Sequence, residues 1–232
     1  MTFTVIARCA RTGQLGIGIA TYSLAVGGYC PAIRGGLGIV STQAFVNPKL
    51  GNLALRLMDL GYSPQKVMSE LAADDPQFNY RQVGIVNAEN AIAVHTGSNT
   101  RSWAGHLTGE GYIVMGNVLA GEEVLQAMAE TFEKQEQADL DERLLCSLEA
   151  GRDAGGQATD DGIHLNERSA AVITHGHRDF GHIDLRVDAN EAAVDELRRV
   201  HDIYKPFIPY YEMRHHCPQD TPAQDVWARD NL

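Results

Sequence analysis

Residues 2–8, TFTVIAR, alternate from the second position onward: Phe3, Val5 and Ala7 fall on one side of an extended chain, and Thr2, Thr4, Ile6 and Arg8 on the other. Chain ends are loose unless something ties them down, so this pattern predicts a first residue pair built into a sheet. A short Gly-containing link, ARTGQ, leads to LGIGIAT, and the two runs form a predicted hairpin over 2–8 and 15–21. The second run carries Leu15, Ile17, Ile19 and Thr21 on one face and Gly16, Gly18 and Ala20 on the other. A bare strand face implies close approach of something else, whether a helix, a second sheet or a ligand. Thr2 is expected in a cleft between two sheets, near that glycine face.

The rest of the chain groups strands with strands and helices with helices. A third strand is predicted over 37–43. Two helices follow, one striped by Leu50, Leu53, Leu57 and Leu60 before Gly61, the other capped by Ser63 with Pro64 in its first turn. RQVGIVNAENAIAVHTG reads as a hairpin with strands near 82–87 and 91–96. GSNTRSWAGHLTGEG reads as a polar loop, and YIVMG as a strand. Helices are predicted over about 121–134 and 140–152, the second with Asp139 and Glu142 as a capping box. RSAAVIT and FGHIDLRVD form a hairpin around HGHRD, and Asn190 caps a helix over 191–204. Hairpins favour antiparallel sheets, and grouped elements argue α+β rather than a doubly wound fold. The boundaries are a main domain over 1–204 and an aromatic, proline-rich arm over 205–232. The arm shows no periodicity; Phe207, Ile208, Tyr210, Tyr211 and Trp227 predict an interface in a homodimer.

Charge and motif content exclude several classes. The net charge of −11 opposes binding to phosphate backbones and anionic lipid, so no nucleic-acid or membrane partner is expected. No apolar run reaches the roughly 18 residues of a spanning helix, and no signal peptide is read at the start, which points to the cytoplasm. Cys9, Cys30, Cys146 and Cys217 are scattered without metal or disulfide spacing. The glycines of LGIGIA lie inside a strand rather than at a strand-to-helix turn, so no nucleotide loop is assigned. The histidines, among them His175, His177 and His182 near one turn and His215 and His216 beside Cys217, lack an HExxH-type spacing. No metal and no cofactor are expected. His106, in the Gly-rich loop beside Trp103, is kept as a candidate ligand contact.

Thr2 carries the chemistry. Loss of Met1, feasible before a small second residue, would leave a threonine whose own α-amine titrates near pKa ~7.7–8.0 and activates the adjacent hydroxyl as a general base. Such chemistry needs the terminus held rigidly in a sheet.

TGQLGIGIAT, GGLGIVSTQAFVNPKLG, WAGHLTGEGYIVMGNVLAG, ERLLCSLEAG and DLRVD followed by ELRR resemble the N-terminal-nucleophile (Ntn) hydrolase-like family of unknown function DUF1028. The resemblance runs from MTFTVIAR to DLRVD. It implies a four-layer αββα sandwich, two antiparallel sheets between helical layers, and no established substrate. By that resemblance Thr2 stands in the nucleophile's place and Thr21 in that of a polar orienting group. Arg34 stands for a cation that lowers the amine pKa or holds a substrate carboxylate, and Asn117 for an oxyanion donor. Ser23 and Gln43 complete a polar wall. Gln157 stands where relatives commonly carry an aspartate. The expected function is hydrolysis of a small amide; the alternative is non-catalytic small-molecule binding or a scaffold on the same fold.

Overall fold

The computed structural model describes residues 1–176 and 182–232. In chain order the elements are β1 (Thr2–Arg8), β2 (Leu15–Thr21), β3 (Pro31–Arg34), β4 (Gly38–Ala44), α1 (Pro48–Asp59), α2 (Pro64–Asp74), β5 (Arg81–Asn87), β6 (Ile92–Thr96), β7 (Ala104–Gly109), β8 (Tyr112–Asn117), α3 (Glu123–Lys134) and α4 (Leu140–Asp153). They continue as β9 (Gln157–Ala158), β10 (His164–Leu165), β11 (Ser169–His175), β12 (Ile183–Val187), α5 (Ala193–Tyr204), α6 (Ile208–His216) and α7 (Gln224–Asn231). One sheet runs β12-β11-β2-β1-β8-β7 and a second runs β3-β4-β5-β6, with β9 and β10 pairing separately. Every pairing is antiparallel.

Three apolar layers hold four structural ones together. Phe3, Val5, Val114 and Val172 of the larger sheet pack on Met128 of α3, Leu144 and Leu148 of α4, and Leu197 of α5. Between the sheets lie Ile6, Ile17, Ile19, Ile39, Ile113 and Met115. Val40, Val83 and Ile85 of the smaller sheet pack on Leu50 and Ala54 of α1 and Val67 and Leu71 of α2. This is the expected αββα sandwich, and the alternation along β1 follows from it: Phe3 and Val5 meet helices while Ile6 meets the opposing sheet.

The bare face of β2 meets a helix. A Cβ on Gly16 would lie 2.7 Å from Leu144 Cδ1, and one on Gly18 would lie 3.0 Å from the Leu144 carbonyl oxygen. Glycine there lets α4 press onto the sheet. The expectation that Thr2 lies near this face is therefore corrected. Glycines 16 and 18 point to α4, whereas Thr2 shares the inter-sheet face with Ile6, and Thr21 shares it with Ile17 and Ile19.

Other departures are local. GSNTRSWAGHLTGEG contains the edge strand β7, whose small and polar residues hide it from an apolar-alternation test. Ser63 caps α2 by accepting from the Lys66 amide, but Asp139 makes no cap and instead faces Lys205 at 3.4 Å. The arm contains two short helices. Within the chain itself Tyr210 and Trp227 are buried, their ring centroids 5.3 Å apart, so these aromatics are covered without a second copy. Of the histidine group at the last hairpin, His177 lies outside the described residues. Among the described residues no group of three metal-ligating side chains forms, and no helix is long and apolar enough to cross a membrane.

Candidate functional site

β1 is an interior strand of the larger sheet, flanked by β2 and β8, and its first residue lies opposite Asn117 at the end of β8. The pairing fixes the Thr2 backbone, and the inter-sheet position buries its side chain. Thr2 Oγ1 stands 3.2 Å from Thr21 Oγ1, the last side chain of β2 on the same face. The Met1 carbonyl oxygen accepts from both hydroxyls, at 2.5 Å from Thr2 Oγ1. Thr21 Oγ1 also accepts from the Ser23 amide at 3.3 Å. The two threonines thus form one hydrogen-bonded unit at the strand ends.

Met1 sits in a cavity of about 190 Å³, together with Ser23, Phe45, Arg101, Asn117 and Val118. Burial, aided by the Arg101 charge and opposed by Cys30, lowers its α-amine to about 6. Cys30 is itself pushed up to about 12 by burial. Two wall residues, Ala44 and Val118, have φ of 71° and 57°. A left-handed β-branched residue is an outlier that costs of order 1–3 kcal/mol and persists where the surroundings over-determine it.

Beneath the cavity a buried polar chain ties the sheets together. Thr4 Oγ1 donates to Gln43 Oε1 at 2.7 Å, and Gln43 Nε2 donates to Gln82 Oε1 at 2.8 Å. Asn117 Nδ2 donates to the same Gln82 oxygen at 3.1 Å. Gln82 Nε2 lies 2.9 Å from the Gly116 carbonyl and 2.9 Å from Thr96 Oγ1, which in turn meets His106 Nδ1 at 2.9 Å. One amide of Asn117 is thereby fixed from below.

The residues singled out in the sequence separate into three groups. Thr2 and Thr21 meet, and Ser23 and Asn117 line the cavity above them. Gln43 and His106 belong to the polar chain, Gln43 fully buried within it and His106 on edge strand β7 at its far end. Arg34 lies elsewhere: it ends β3 and pairs with Asp59 of α1 at 2.9 Å, both exposed. The cation at the cavity is Arg101, in the polar segment before β7. A lone arginine in a loop gave no periodic signal; only its place between the strand ends marks it. Gln82 was also missed, because a glutamine inside an apolar strand run announces nothing until its partners are known. Gln157 accepts from the Tyr22 amide at 3.0 Å and donates to buried Glu167 at 3.2 Å, which holds the loop after Thr21.

The family of unknown function DUF1028 matches residues 2–197, and the chain belongs to that family. The crystal structure of protein SPO2555 from Silicibacter pomeroyi, also described by DUF1028, is similar over 88% of this chain and 86% of that one, at 26% identity and a TM-score of 0.79. Two Anbu structures align more loosely. Anbu (ancestral beta-subunit) from Yersinia bercovieri covers 87% of this chain and 93% of its own at 11% identity and a TM-score of 0.42. An Anbu Gly-1 mutant from Hyphomicrobium sp. strain MC1 covers 88% and 95% at 10% identity and a TM-score of 0.44. No curated protein matches the chain.

Proposed function

We propose that the protein is an Ntn-type hydrolase of a small amide, with Thr2 as nucleophile once Met1 has been removed. The observation that carries this reading is the buried Thr2–Thr21 hydroxyl pair at the start of β1, next to a cavity that Met1, Ser23, Arg101 and Asn117 line. In the proposed reaction the Thr2 amine takes the hydroxyl proton as Oγ1 attacks the acyl carbon. The amine, now charged, returns that proton to the departing nitrogen, and water then cleaves the Thr2 ester. Asn117 Nδ2 gives one hydrogen to Gln82 and keeps the second for the developing oxyanion. Thr21 orients the nucleophile.

Arg101 takes the role expected of Arg34. It holds a substrate carboxylate, and its charge, which already lowers the Met1 α-amine, would favour the uncharged form of the Thr2 amine once Met1 is gone. The exposed Phe45 ring gives an apolar wall on the other side.

Intact mass of protein purified from its native host tests the first step: the reading expects Met1 to be absent. Quantitative retention of Met1 overturns the nucleophile and leaves ligand binding in the same cavity as the function. With Met1 absent, Thr2→Ala is expected to abolish amide hydrolysis at an unchanged melting temperature.

A further inference from the structure

A second cavity, of about 290 Å³, lies at the opposite end of the sandwich from Thr2, where β1 ends at Arg8 and β8 begins at Tyr112. Two guanidinium groups line it. Arg143 is buried, its charge centre 3.9 Å over the Phe132 ring, and it donates to the Phe132 carbonyl from Nε at 3.3 Å and Nη2 at 3.1 Å. Arg8 is half-buried, and its Nε is shut off from solvent without a hydrogen-bond partner. Neither has a carboxylate within ion-pair reach among the described residues, although most arginines of this acidic chain do. A guanidinium buried out of ion-pair contact is costly, and buried Arg143 beside half-buried Arg8 points to an anionic group that completes them.

The rim carries the opposite sign. Glu110, Glu133 and Glu136 are exposed there, Glu133 also accepting from the Tyr112 hydroxyl at 2.6 Å. Arginines inside and carboxylates outside disfavour a simple dianion, because phosphate would meet the rim acids. They favour a ligand with a carboxylate at one end and an ammonium group at the other. The lining carries one net negative charge, which matches a ligand of net charge +1. We infer that this cavity binds a basic α-amino acid, its carboxylate on Arg8 and Arg143, its side-chain ammonium toward the glutamates and its alkyl stem along Phe132. The volume, at the small end of ligand pockets, fits a molecule of that size.

Titration of the full chain with L-lysine, acetate and inorganic phosphate, followed by calorimetry, tests the assignment. L-lysine is expected to saturate one site, with acetate and phosphate each at least tenfold weaker. Arg8→Gln, which removes no hydrogen bond seen here, is expected to weaken L-lysine at least tenfold at an unchanged melting temperature. Arg143→Gln should do the same, provided its circular dichroism is native. Failure of L-lysine to saturate overturns the inference, as does phosphate or acetate binding as tightly. So does an Arg8→Gln protein that binds like the parent.

Discussion

The hydroxyl oxygens of Thr2 and Thr21 stand 3.2 Å apart in a buried site, although 19 residues separate them in sequence. The β1–β2 register creates this meeting, since Phe3 pairs with Ala20 and the two strands end together. Both side chains then project from the same sheet face, toward the second sheet. Thr21→Val keeps the shape and removes the hydroxyl. It is expected to slow acylation of Thr2 by p-nitrophenyl acetate by about 10²-fold, the lower end of what a positioned proton partner supplies. The modified residue is located by peptide mass. A rate within threefold of the parent would remove Thr21 from the mechanism.

The α-amine at this strand end gives a pH prediction. Held near 6 chiefly by burial and next by Arg101, it is uncharged above that pH, whereas an unfolded chain keeps the proton to about 8. Between those values the unfolded state binds more protons, so stability rises with pH across the window. The gain is complete above about 8 and is lost as pH falls through 6; its size is of order 2 kcal/mol. Reductive methylation of the amine in Met1-retaining protein should show a midpoint near 6. Arg101→Met should move that midpoint up but not fully to 8, because burial remains. An unchanged midpoint would place the Arg101 charge too far away to act.

Much of this architecture was legible in the order of the elements. The runs 2–8 and 15–21 match β1 and β2 residue for residue, because alternation in a half-helix-covered, half-sheet-covered strand is the strongest local signal a sheet leaves. Edge strands β3 and β7 were illegible for the opposite reason: they carry no clean buried face. The site divided the same way. Thr2 stood out because its place at the start of a strand constrains the chemistry proposed for it. Arg101 and Gln82 did not, since the cavity lining and the polar chain that hold them arise from contacts between distant segments that no local pattern encodes. Arg34 was misplaced because resemblance gave a residue type and an approximate place, whereas the cavity's cation comes from a loop some 67 positions later.

Gln82 is the member of the buried polar chain with most to lose. Its oxygen accepts from Gln43 and Asn117, and its amide meets the Gly116 carbonyl and the Thr96 hydroxyl. Gln82→Leu has similar volume but strands these groups away from water. Each buried unsatisfied partner costs about 1–3 kcal/mol, so a loss of about 3–4 kcal/mol is expected in urea unfolding. The same variant should also weaken ligand binding at the Thr2 cavity, because Asn117 loses its anchor. A change below 1 kcal/mol would show that the chain is replaced by water.

A last prediction concerns how α5 and Lys205 are fastened to α4. Asp141, in the first turn of α4, lies 2.7 Å from Nε2 of the buried His201 and 3.2 Å from Lys205 Nζ. Burial alone would raise the Asp141 carboxyl, but the His201 hydrogen bond and the Lys205 charge outweigh it and hold the group at about 2. The folded-state value lies below the unfolded one, near 3.8. The pair's contribution is therefore fully present above about 4 and is lost as pH falls toward 2, an effect of about 2 kcal/mol. Asp141→Asn should lower stability at neutral pH and flatten the acid limb of the stability curve between pH 4 and 2. Lys205→Met should reproduce part of that flattening, since it removes one of the two favourable partners. Urea midpoints at pH 7, 4 and 2.5 for the three proteins check this. An acid limb as steep in Asp141→Asn as in the parent would assign the acid sensitivity to other carboxylates.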